Sequence, residues 1–192
     1  MLWTQNWRAL KAFIISSASF AGLATWVLGT DIWPTFLSGL KMAKTYLETD
    51  IPLERMPTVF ALVRQIDCSL AWAYGLHALV AALAIVTLLA TWRLSQQASI
   101  RGIALVAATL LISPYLFDYD LVWQILPILW LYQLGHKSGW LAGEQALLVI
   151  TWSLLLYVKL GLYLVTGQVV LVGAVVNLAL LWTAYRRARH AF

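Results

Sequence analysis

LAWAYGLHALVAALAIVTLLATW, the run Leu70–Trp92, decides the fold class, because it contains no Asp, Glu, Lys or Arg. A membrane-spanning helix needs ~20 mostly apolar residues, within a range of about 17–25. This run has that length, with His77 as a polar interruption in its outer half. The rest of the chain agrees with it. Of its 192 residues 62% are hydrophobic and only 11% charged, whereas a soluble domain carries roughly 25% charged residues. Mean hydropathy is +0.80. Eleven Trp and eight Tyr supply the rings that collect at headgroup level.

Five further segments qualify or come close: Ala12–Gly29, Gly102–Ser113, Leu121–Leu134, Leu141–Val165 and Val169–Tyr185. The first follows Arg8 and Lys11 as a signal peptide would, but its apolar run exceeds the ~7–15 residues of a signal core. It reads as an uncleaved span. Gly102–Ser113 and Leu121–Leu134 are short: twelve to fourteen residues at 1.5 Å each cover about 20 Å of a ~30 Å core. Either flanking residues extend them or they form a re-entrant hairpin buried in protein. Both alternatives return the chain to the same side.

Orientation follows from the basic residues. With a cytoplasmic N-terminus and alternating spans, Arg8, Lys11, Arg93, Arg101, Lys137, Arg186, Arg187 and Arg189 fall inside. Lys41, Lys44, Arg55 and Arg64 fall outside, and Lys159 lies within a span, where it reads as snorkelling outward. Eight against four agrees with the positive-inside rule. Asp31, Glu48, Asp50, Glu54, Asp67, Asp118 and Asp120 all sort outside, and Glu144 alone sorts inside. The expected fold is an all-α polytopic integral membrane bundle of about six spans, one membrane domain over 1–192, with both termini cytoplasmic.

The stretch 30–69 is the one long external segment in this scheme. In DIWPTFLSGLKMAKTYLE, Phe36, Leu40, Ala43 and Leu47 form one helical stripe; in TVFALVRQI, Val59, Leu62, Val63 and Ile66 form another. Both read as short amphipathic helices in the membrane interface, separated by Pro52 and Pro57.

Several classes of chemistry lack support. The formal charge of +5 belongs to loops and helix ends, so nucleic acid is not an expected partner; membrane lipid is. Cys68 is the single cysteine, and His77, His136 and His190 share no ligand spacing, so neither a disulfide nor a metal site is expected. Nucleotide-binding and nucleophile-elbow motifs are absent, and no cofactor is expected.

The candidate site residues are polar groups where apolar ones would be cheaper. In SPYLFDYD, Ser113–Asp120, two carboxylates stand two residues apart at the tip between two apolar runs. Acids at a membrane edge are functional candidates by default. Asp120 directly precedes the run from Leu121, where a helix N-cap belongs; Asp118 has no such duty and is the better candidate for a substrate-facing carboxylate. Arg55 and Arg64 are candidates for holding phosphate, since a guanidinium matches phosphate oxygens bidentately. His77 either faces a cavity or packs hydrogen-bonded. Asn177 reads as an interhelical hydrogen-bonding residue.

SPYLFDYDLVWQILPILWL (Ser113–Leu131) resembles the motif region of bacterial glycosyltransferase family 87, and ERMPTVFALVRQID (Glu54–Asp67) resembles that family's external segment around M-P-S/T-x-F. The order of spans from Trp7 onward resembles the family's C-terminal half. The resemblance implies a GT-C-type enzyme of the bacterial plasma membrane. Such an enzyme moves a hexose, commonly mannose, from a polyprenyl-phosphate donor to a cell-envelope glycan or glycolipid acceptor. It also implies a general base in an external loop preceding the region matched here, so the chain is expected to be a partial one. A missing N-terminal half or a partner subunit would complete it, and the catalytic base is unassigned. A non-catalytic subunit or degenerate paralogue is the first alternative. The second, a small secondary carrier, would be expected to show repeat symmetry, and the sequence has none.

Overall fold

In a computed structural model of the protein, residues 7–49, 53–160 and 169–190 are described. Among them every regular element is helical: α1 (Trp7–Leu28), α2 (Ile32–Thr49), α3 (Val59–Gln65), α4 (Leu70–Leu94), α5 (Ala98–Ile112), α6 (Ile125–Ser138), α7 (Glu144–Lys159) and α8 (Val169–His190). Two 3-10 segments, Leu53–Arg55 and Asp118–Gln124, complete the set. The all-helical class expected from the sequence is what the chain adopts. Two of the helices, α1 and α4, are long and apolar enough to cross a membrane. At 1.5 Å per residue they are about 33 and 37 Å long.

The chain forms two compact units, Met1–Ile51 and Pro52–Phe192. In the first, α1 and α2 are joined by a tight turn at Gly29, whose φ of +81° suits glycine. The Trp33 indole N–H donates to Thr25 Oγ1 at 2.9 Å across that turn. Neither helix buries a residue within its unit; Phe20 and Trp26 are 76% and 82% exposed. A rod of apolar side chains this bare is unfavourable in water, since each buried side chain would gain roughly 1.5–3 kcal/mol.

The second unit is built on α5, which packs against α4, α6 and α8. Its buried face runs through Ile100, Ile103, Ala104, Ala107, Ala108, Leu110 and Leu111, with the small side chains of Ala104, Ala107 and Ala108 at its centre. Small side chains let the backbones approach closely. The facing stripe of α8 is Ala174, Asn177, Leu180, Leu181, Ala184 and Ala188. Glycines extend the same economy: a Cβ at Gly173 would lie 2.5 Å from Pro57 Cβ, and one at Gly102 would meet the Trp130 ring at 2.6 Å.

One buried ion pair closes the other end of this unit. Arg187 on α8 donates to Glu144 Oε1 at 2.6 Å and Oε2 at 2.5 Å, to Ser138 Oγ at 3.0 Å and to the Gly139 carbonyl at 2.9 Å. Glu144 also accepts the Leu141 N–H at 2.8 Å. Both charged residues are buried, so all these donors are needed to offset desolvation.

Several boundaries differ from the sequence reading. Leu121–Gln124 are 3-10, and the α-helix starts only at Ile125. On α3 the buried residues are Phe60, Ala61 and Val63, while Ile66 is 68% exposed. The buried face is offset from the expected stripe: Thr58 caps the helix, its Oγ1 accepting the Ala61 N–H at 3.1 Å, and Phe60 turns inward to pack on Tyr74 and Tyr115. The expected span Leu141–Val165 is observed as Glu144–Lys159; its last residues, with Asp50 and Pro52, lie outside the described residues.

Candidate binding site

The segment from Arg55 to Phe60 is stitched to the segment from Ile112 to Asp118. Thr58 Oγ1, besides capping α3, donates to the Pro114 carbonyl at 3.0 Å. The Tyr74 and Tyr115 hydroxyls hydrogen bond to each other, and both rings pack on Phe60, with centroids at 4.9 and 5.6 Å. His77 Nε2–H donates to the Ile112 carbonyl at 3.0 Å, satisfying a group that the end of α5 leaves open. Pro114 and the extended Ser113 stop α5, so the chain crosses its end and carries Asp118 to Arg55.

Arg55 meets Asp118 as a fork. Nε donates to Oδ2 at 3.2 Å and Nη2 to Oδ1 at 3.1 Å, while the Tyr119 N–H donates to Oδ1 at 2.9 Å. The Asp118 side chain is 4% exposed and that of Arg55 40%. The carboxylate is therefore held in the protein while the Arg55 side chain stays partly exposed. Asp118, expected to lack the capping duty of Asp120, has a structural one of another kind, as the anchor of the Leu53–Arg55 turn.

Asp120 acts differently. The 3-10 segment starts at Asp118, so Asp120 stands inside its first turn and does not precede the helix. Its Oδ2 accepts the Phe117 N–H at 2.9 Å, reaching backward where the sequence reading has it cap forward.

A cavity of about 460 Å³ opens beside the fork, lined by Arg55, Asp118, Tyr119, Val122, Leu155, Val158 and Lys159. Charged groups from three elements gather there, and Val122, Leu155 and Val158 form an apolar wall. Of the five candidates, Arg55 and Asp118 come together at the cavity. The other three are placed elsewhere. Arg64 Nη1 donates to the Cys68 carbonyl at 2.7 Å and clasps the turn after α3. His77 serves the end of α5, and Asp120 serves the turn.

Lys159, which the sequence gives as a residue snorkelling outward, also lines the cavity. Its signal is a lysine closing the apolar helix α7, which fits snorkelling equally well until the opposite wall is known. Asn177 does bond across elements, with Gln124 Nε2 donating to its Oδ1 at 2.9 Å.

Set against known proteins, residues 1–114 match the family model described as glycosyltransferase family 87. The match contains all of Glu54–Asp67 and the first two residues of Ser113–Leu131. It includes Arg55, Arg64 and His77 and ends before Asp118. No curated protein and no solved structure matches the chain.

Proposed function

Because the chain belongs to glycosyltransferase family 87, a family of membrane glycosyltransferases, we propose that its cavity receives a polyprenyl-phosphate-linked hexose, such as a mannosyl donor. The family supplies the general class, a sugar donor and a glycan acceptor. The finer assignment rests on one observation: a single cavity joins a partly exposed arginine to an aliphatic wall. A prenyl phosphate has the same two parts, an anionic head and a branched hydrocarbon tail. Arg55 matches the phosphate oxygens, and Val122, Leu155 and Val158 match the first isoprene units. As transfer proceeds the phosphate becomes the leaving group, and a fixed cation beside it stabilises the charge it gains. The acceptor is a cell-envelope glycan or glycolipid, in keeping with a GT-C enzyme of the plasma membrane.

The test is photolabelling of membrane-embedded protein with a benzophenone-bearing prenyl phosphate. Label should fall on peptides containing Tyr119–Val122 and Leu155–Lys159, and polyprenyl-phosphate hexose should compete it away. Label confined to other helices, or unaffected by that competitor, would remove the assignment.

A further inference from the structure

The cavity holds three formal charges, and they are not equivalent. Arg55 and Asp118 form a bidentate pair, so together they contribute a dipole and no net charge. Lys159, at the C-terminal end of α7, makes no ion pair among the described residues and is exposed. The net charge facing a ligand is therefore the ammonium of Lys159. A compact ammonium on a flexible four-carbon stem can follow an anion, whereas Arg55 is fixed by its fork to a buried carboxylate.

We propose that Lys159 supplies the net positive charge that draws the anionic head of the ligand to its place beside Arg55, and that Asp118 restrains Arg55 and weakens anion binding. This rests on the assignment of the cavity to a prenyl phosphate. It reverses the expectation that Asp118 contacts the substrate favourably. A phosphate entering the cavity meets the Asp118 charge as a competitor for Arg55, whereas the Lys159 ammonium, which makes no ion pair among the described residues, attracts it without that competition.

The experiment measures displacement of the photoreactive prenyl phosphate by farnesyl phosphate, for wild type and variants in nanodiscs of zwitterionic lipid. Thermal melting of each variant reports folding. Lys159→Gln should weaken competition by about tenfold, the effect of losing one charge-assisted contact. Lys159→Arg should preserve it. Asp118→Asn keeps an acceptor for Arg55 while removing the opposing charge, and should tighten competition severalfold. Farnesol, which lacks the phosphate, should not compete with any of them.

Wild-type affinity in Lys159→Gln, with wild-type protein labelled at the cavity, would overturn the proposal and leave the cavity assignment standing. So would an Asp118→Asn protein that melts normally yet binds more weakly than wild type. Failure of wild-type protein to be labelled at the cavity would instead strike the assignment on which both rest. If Asp118→Asn does not fold, the Lys159→Gln and Lys159→Arg pair still decides.

Discussion

At Asp120 the carboxylate spans one turn of backbone to take the Phe117 N–H at 2.9 Å, a bond that needs an acceptor and not a charge. Asp120→Asn retains an acceptor and is expected to change stability by less than about 1 kcal/mol. Asp120→Ala removes it and should cost ~0.5–2 kcal/mol in a detergent melt. Asp118 answers to other forces, because its burial is tolerable only with Arg55 and the Tyr119 N–H in place. The two acids share a short loop, yet one is held for its geometry and the other for its charge. Proximity in sequence separated them poorly. What distinguishes them is Arg55, sixty-three positions away along the chain.

Among the elements, the long apolar helices were legible because length and composition alone specify them: Leu70–Trp92 reappears inside α4 and Ala12–Gly29 almost entirely inside α1. The 3-10 segment Asp118–Gln124 was not. Its apolar residues read as ordinary helix, and what tightens the turn is the tether from Asp118 to Arg55 together with the reach-back of Asp120. The inward face of α3 follows the packing of Phe60 on Tyr74 and Tyr115 and not the periodicity, since seven residues give too short a repeat to fix a phase. Lys159 was visible as an oddity, but its meaning depended on walls contributed by other elements. Pro57 shows the same dependence. It reads as a helix breaker and also packs on Gly173 of α8. Gly173→Ala is therefore expected to force the two elements apart, with a loss of roughly 1–3 kcal/mol by thermal melting.

For the whole molecule, the distribution of basic residues predicts an orientation that Cys68 can test in place. We expect a membrane-impermeant maleimide to label it in intact cells, with Glu48→Cys as a parallel probe on α2. Labelling of both only after permeabilisation would reverse the orientation. At the other end of the second unit, removing one member of the Arg187–Glu144 pair leaves a charge without its counter-ion. Arg187→Leu should cost about 3–5 kcal/mol. That pair also has a history in time. Glu144 precedes Arg187 by 43 positions, so a growing chain carries the one acid of α7 without its counter-ion until α8 follows. α8 then completes the pair. Nascent chains halted before Arg187 should stay bound to insertion factors or be degraded, while chains released just beyond it should accumulate, a difference that pulse-chase labelling of staggered stop codons would display.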